Sequence, residues 1–196
     1  MRLFRRTPLE AARWVSVDCE TSGLDMKRDR LLSVGAVKVT GQRIEVGHAF
    51  HSLVKQAAPS ASANILVHGI GGDAQVGGRA QDEVVRELES FAAEAMPVGF
   101  HAPFDAEVLR RHGFRARSRW LDLAELAPAI FPGRKARQLE DWLAQFGIAV
   151  QDRHDALGDA FSTAQLLLVL IAEAKRQGAA TAEELRALAG AGRWLS

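Results

Sequence analysis

The chain has 196 residues, 47% of them hydrophobic, enough for one substantial buried core and few for two, so a single compact domain is expected over 1–196. Its formal net charge of +1 is close to neutral, and its longest uninterrupted apolar stretch, Leu166 to Ala172, is far below the ~20 residues that span a bilayer, which argues against a membrane protein. Cys19 is the only cysteine, which excludes an internal disulfide and a cysteine-rich zinc site. With no export signal visible behind Arg2, Arg5 and Arg6, a reducing cytoplasm is the expected compartment.

In chain order, Trp14 to Val17 is short and apolar, Leu31 to Val39 is apolar and β-branched, and Arg43 to Val54 alternates loosely, with Thr40, Gly41 and Gln42 as a hairpin turn between the last two. The segment from Ala61 to Gly78 is rich in Gly, Ser and Ala and is expected to be mainly loop. From Ala80 to Ala95, Val84, Val85, Leu88, Phe91 and Ala92 recur at helical spacing, and Pro97 is expected to stop that helix. A short strand at Pro97 to Phe100, a helix from Phe104 to His112 and a brief apolar run at Trp120 to Leu123 follow. Beyond them the pattern predicts helices within Leu121 to Ile130, Gln138 to Phe146, Ala156 to Arg176 and Thr181 to Leu188, the last opened by a Thr181–Glu184 capping box. Strands first and alternating elements later predict an α/β fold, a mixed sheet flanked by helices. Its core should cover about 12–177, with a short helical tail at 178–196.

Three short segments carry candidate chemistry. In Trp14-Val15-Ser16-Val17-Asp18-Cys19-Glu20-Thr21-Ser22-Gly23 an apolar strand runs into acids at i and i+2, which strand alternation places on one face. Two such carboxylates repel unless a cation lies between them, so the pair invites a divalent ion; the plainer reading is a polar strand end before a glycine turn. In Pro97-Val98-Gly99-Phe100-His101-Ala102-Pro103-Phe104-Asp105 a second strand gives way to a helix with an acid in its first turn, where an acid also serves simply as a partner of the helix dipole. In His154-Asp155-Ala156-Leu157-Gly158-Asp159-Ala160, Asp155 fits a plain N-cap, but this leaves the histidine five residues before Asp159 unexplained. Arginines 110, 111, 115, 117 and 119, and Arg134, Lys135 and Arg137, form two clusters that read either as phosphate contacts or as solvated surface. Two divalent cations would add four charges, taking the formal total from +1 to +5, better suited to a polyanion.

Taken together, these segments resemble the DEDDh exonucleases, the family that includes the proofreading epsilon subunits of bacterial DNA polymerase III, RNase T and oligoribonuclease. The resemblance spans about Trp14 to Ala174. Its first motif is matched by Asp18, Glu20, Thr21 and Gly23, its second by Phe104 and Asp105, and its third by His154 and Asp159 with Ala156-Leu157 between them. Val67-His68-Gly69-Ile70 resembles the family's substrate-side loop. The pair Phe100-His101 departs from the His-Asn common among relatives. The histidine in the third motif, in a chain without tyrosine, excludes the branch that uses tyrosine there.

The resemblance implies a ribonuclease H-like fold with a mixed five-stranded sheet. It implies a 3′→5′ exonuclease that binds two Mg²⁺ or Mn²⁺ ions through Asp18, Glu20, Asp105 and Asp159 and uses His154 as general base. Thr21, Gly23, His68 and Phe104 would contact the terminal nucleotide of a single-stranded 3′ end, with Phe100 a further stacking candidate. Single-stranded DNA is the expected substrate; an RNA-trimming enzyme and a catalytically degenerate nucleic-acid-binding subunit share the same residues, and association with a DNA polymerase stays open. A haloacid-dehalogenase phosphatase, with Asp18 as nucleophile, would need Asp-x-Asp and a later lysine with an acidic pair, and only Lys135 and Lys175 follow Lys55.

Overall fold

The computed structural model describes residues 6–149 and 155–192. Strands β1 (Arg13–Thr21), β2 (Leu31–Thr40), β3 (Arg43–Leu53), β4 (Met96–Gly99) and β5 (Leu121–Asp122) form one sheet in the order β3-β2-β1-β4-β5. The first three are antiparallel neighbours, whereas β4 runs parallel to β1 and β5 parallel to β4. This is the mixed five-stranded sheet expected from the sequence. The β2–β3 connection is a two-residue loop in which Gly41 (φ 54°) and Gln42 (φ 63°) both take the left-handed conformation, matching the twist of the hairpin they join.

Eight helices complete the described residues: α1 (Ser62–His68), α2 (Gly72–Gly77), α3 (Gln81–Ala92), α4 (Ala102–Arg111), α5 (Leu123–Ile130), α6 (Leu139–Gln145), α7 (Ala156–Arg176) and α8 (Ala182–Gly192). The helix before Pro97 ends at Ala92, earlier than the expected Ala95, and Pro97 lies inside β4, the short strand expected there, where it pairs with Val15. The stretch expected as loop contains α1 and α2, whose order comes from polar contacts rather than apolar periodicity: buried Gln75 accepts from the Ser60 N–H (2.8 Å) and donates to Ser60 Oγ (3.0 Å) and to the Ile70 carbonyl (2.8 Å). The Thr181–Glu184 capping box is present, with Glu184 accepting from the Thr181 N–H at 3.1 Å and Thr181 Oγ1 accepting from the Glu184 N–H at 3.4 Å.

Alternation along β1 divides the core. Val15, Val17 and Cys19 face a layer built with α3 and α4, including Val84, Leu88, Val108 and Leu109. Trp14 faces the opposite layer, where Leu126, Trp142, Leu143, Leu167 and Ile171 pack. Ser16, Asp18 and Glu20 share the parity of Trp14, so strand geometry directs both acids to the side covered by α7. Helix α7 is long and apolar enough to cross a membrane by length and composition, yet half of it is buried, with Leu166, Leu167, Leu170 and Ile171 packed in the core.

The first turn of α7 lies directly on β2. A Cβ on Gly35 would fall 2.3 Å from the backbone of Ala156 and Leu157, so only glycine lets the helix approach this closely. Neither backbone has a flexible side chain that could yield, and a Gly35→Ala variant is expected to lose about 3 kcal/mol, the upper part of the usual overpacking range. Thermal unfolding should then fall by roughly 6 to 12 °C. Gly47→Ala on β3, with nothing within 4 Å of the added Cβ, should change little, and equal midpoints for the two variants would contradict this account.

Candidate active site

Asp18 and Glu20 project from β1 and meet Asp159 from the first turn of α7. The three can each offer a carboxylate oxygen such that all these atoms lie within 4.8 Å of one another. Asp155 caps α7, its carboxylate accepting from the Gly158 N–H at 2.9 Å, as its sequence position suggested. That cap, with the contact at Gly35, sets where Asp159 sits.

Asp105 arrives from the other side of the sheet. Strand β4 pairs with β1 only from Trp14 to Ser16, so β1 continues beyond it without a neighbour on that edge. The Cys19 N–H is instead taken by Asp105 Oδ1 at 3.0 Å, which places a buried carboxylate at the open edge of β1, beside the peptide joining Asp18 to Cys19. Helix α4 is aimed by a sharp turn: His101 adopts the left-handed conformation (φ 58°), and Gly99 admits Ala102 so closely that a Cβ there would lie 3.2 Å from it. Phe100, the other half of the departing pair, packs partly into the core and stacks edge-on against His101 at 4.8 Å.

The electrostatics of this arrangement are those of crowded acids. Burial, then the charges of Asp105, Asp159, Glu20 and Asp155, hold the Asp18 carboxyl well above the ordinary carboxylate range. Burial and the same neighbouring acids, Asp159 and Asp155, raise Glu20 to about 7. Asp105 is raised to about 8, chiefly by burial and in spite of its hydrogen bond from Cys19. Hard oxygen donors whose ionisation is opposed by burial and by one another are the donor set a Mg²⁺ or Mn²⁺ ion would suit, so the residues fit divalent metal.

Two contributors have no counterpart in the sequence reading. Asp122, at the end of β5, accepts from the Ala124 N–H at 3.0 Å and from the backbone of Ala102, tying the start of α4 to the start of α5. Its charge also reaches Asp105. His51 places Nε2 3.1 Å from Ser33 Oγ and 3.7 Å from Asp155 Oδ1. Only the folded arrangement brings either residue to the site; a lone acid after an apolar run carries no such signal.

Of the expected nucleotide contacts, Thr21 and Gly23 sit where the chain leaves β1. Thr21 Oγ1 donates to the Gly23 carbonyl at 2.5 Å, and Asp29 lies under the loop so tightly that a Cβ on Gly23 would meet its carboxylate at 2.6 Å. Leu24 beyond it is 90% exposed. His68 is buried: its Nδ1 accepts from the Ile70 N–H at 3.0 Å and its Nε2 faces Ser60 Oγ at 3.2 Å. Burial lowers its pKa, so the imidazole is held neutral within the chain, while Leu66 and Val67 beside it stand exposed. Asn64 Nδ2 donates to the Ser22 carbonyl and links this loop to the one after β1. Phe104 is half-buried against the α3–α4 layer. His154 lies outside the described residues.

Raised carboxylate pKa values set a sign for stability. Glu20 and Asp105 bind protons more tightly folded than unfolded, so their contribution is full below their unfolded values near 4 and is lost as pH rises through about 7 and 8. With chelator present, the unfolding temperature is expected to fall between pH 5 and pH 8 beyond the trend of Asp105→Asn, whose amide is uncharged. Mg²⁺ or Mn²⁺ should raise it more at pH 8 than at pH 5. A metal-induced shift independent of pH would contradict this electrostatic picture.

The RNase T exonuclease family model matches residues 15–167, most of the chain and all of these elements up to the middle of α7. A DNA polymerase III subunit epsilon-like protein of Rhodobacter capsulatus is 33% identical over 182 residues, covering 89% of this chain and 26% of that protein. The PolC-type DNA polymerase III of Bacillus subtilis is 27% identical over 183 residues, 90% of this chain and 13% of the polymerase. The chain thus spans about a quarter or less of these relatives. Among solved structures, Escherichia coli exonuclease I in complex with a dT13 oligonucleotide superimposes with a TM-score of 0.72 at 18% identity, over 85% of this chain and 42% of that one. Exonuclease X in complex with 5′-overhanging duplex DNA gives 0.69 at 23% identity, over 91% and 99%. These two share the fold. The family match, the polymerase III relatives and the acids gathered at one end of β1 lead to one conclusion: the chain belongs to the DEDDh 3′→5′ exonuclease family.

Proposed function

We propose that this domain removes nucleotides from the 3′ end of single-stranded DNA by metal-dependent phosphodiester hydrolysis. The observation that carries the reading is the convergence of Asp18, Glu20 and Asp159 with Asp105 at the open edge of β1. The polymerase III relatives and the oligothymidylate bound to exonuclease I support DNA over RNA as the substrate, and the former also support a DNA polymerase as a partner.

Asp18, Glu20, Asp105 and Asp159 would hold two divalent ions, which when bound supply Lewis acidity to the attacking water and to the leaving 3′ oxygen. The chain's own part begins with orientation. Asp105, fixed by the Cys19 N–H, keeps α4 against β1 while Asp18 and Glu20 face α7. His154 takes the proton from the attacking water; an imidazole with an ordinary pKa near ~6.5 is mostly neutral at pH 7 to 8 and ready to accept it. The support for this role is the family spacing to Asp159 and the anchoring of Asp155, the next residue, as the α7 cap. Thr21 and Gly23 line the approach of the terminal nucleotide, and Phe104 flanks it. His68 acts through the exposed turn that it holds in place.

Incubation with 5′-labelled single-stranded DNA and Mg²⁺ or Mn²⁺ is expected to give a ladder shortening from the 3′ end. Asp105→Asn, which keeps an oxygen able to accept from Cys19, should fold and lose at least about 100-fold in rate, because the ligand charge is gone. A folded, fully active variant would overturn the assignment.

At saturating metal, so that carboxylate ionisation does not limit the rate, activity should rise with pH through the histidine range and then level. A profile flat from about pH 5.5 to 8.5 with chemistry rate-limiting would remove His154 as the base.

A further inference from the structure

The flank of α4 away from Asp105 borders a second depression. A groove of about 500 Å³ runs between Ala102 and Pro103, the segment Arg119 to Asp122, and Arg186 of α8. Two arginines meet there. Arg119 is exposed, and its carbonyl accepts from Arg186 Nη2 at 3.1 Å. Arg186 is half-buried, and its Nε is shielded from solvent with no hydrogen-bond partner.

The acids nearby do not supply that partner. The Asp122 carboxylate faces the backbone of Ala102 and Ala124. Glu183, one turn back on α8, accepts from the Thr7 N–H at 2.9 Å. Burial lowers the pKa of Arg186; the charge of Glu183 raises it, and that of Arg119 lowers it. Two guanidiniums beside one groove favour an anion between them. The planar arginine fork suits the oxygens of a phosphate.

We propose that this groove is a second phosphate-binding subsite, through which Arg119 and Arg186 hold the backbone of the strand whose 3′ end lies at the carboxylates. The proposal rests on the exonuclease reading. Helix α4 forms a wall of the groove and also carries Asp105, so a strand crossing its first turn brings a phosphate remote from the bond being cut to the two guanidiniums.

The test compares wild type with an Arg119→Gln/Arg186→Gln variant on two substrates. One is the 4-nitrophenyl ester of thymidine 5′-phosphate, which reaches only the carboxylate centre; the other is an oligothymidylate of about twelve nucleotides. The variant is expected to keep its rate on the ester. On the oligonucleotide, kcat/KM should fall about 10-fold, and the steepness of its salt dependence should drop by about 0.7, the value for one phosphate contact on a single strand. Arg119→Gln alone, at an exposed position, should show part of the effect, and Arg43→Gln on β3 none.

Equal oligonucleotide kinetics and salt dependence in wild type and variant would overturn the subsite and leave the exonuclease reading intact. Parallel losses on both substrates would mean a disturbed catalytic centre and also overturn it. Inorganic phosphate that binds wild type but not the variant, with oligonucleotide kinetics unchanged, would assign the groove to the free anion instead of the strand. A wild type inactive on both substrates would overturn the exonuclease reading and the subsite with it.

Discussion

Four carboxylates brought together at one end of a strand oppose the folding of the chain that carries them, and much of the surrounding structure is arranged around that cost. Asp18 and Glu20 are placed on one face by strand alternation, Asp159 is delivered by a helix seated directly on the sheet, and Asp105 is held by a backbone N–H that the shorter β4 leaves unpaired. None of these devices removes the repulsion. They hold the acids where a cation would relieve it, so a bound divalent ion would add to the stability of the fold.

Much of the fold was legible in the sequence because it depends on local patterning. The apolar β-branched runs became β1 to β3, Gly41-Gln42 became their turn, and the apolar stretch after Asp155 became α7 with the bounds Ala156–Arg176. The acids of the candidate site were legible for a different reason: strand periodicity explains Asp18 and Glu20, while Asp105 and Asp159 were singled out by family resemblance and look locally like ordinary helix-terminus acids. What stayed hidden depends on partners far away in the chain. The role of Gly35 requires a helix over 120 positions later, and that of Asp122 requires two helix starts at once.

The segment from Ala61 to Gly78 shows the same limit in another form. Its composition reads as loop, and by apolar content it is one. Its order comes from Gln75 and His68, buried polar side chains that satisfy backbone groups and leave Leu66 and Val67 in solvent. Hydrophobic periodicity cannot reveal a short helix stabilised in this way, because the core contributes little to it. The histidine that the family resemblance placed near the nucleotide therefore meets the rest of the protein first.

The hydrogen bond from Asn64 to the Ser22 carbonyl joins two rims of the site that are more than forty residues apart in sequence. One rim carries Leu24 and the other Leu66 and Val67, all exposed, whereas the centre beneath them is fixed by backbone packed on backbone at Gly35. The molecule is thus divided into an anvil and a pair of jaws: the spacing of Asp18, Glu20 and Asp159 is built into the sheet and the helix seated on it, and the two loops at the rim are tied to each other by a hydrogen bond.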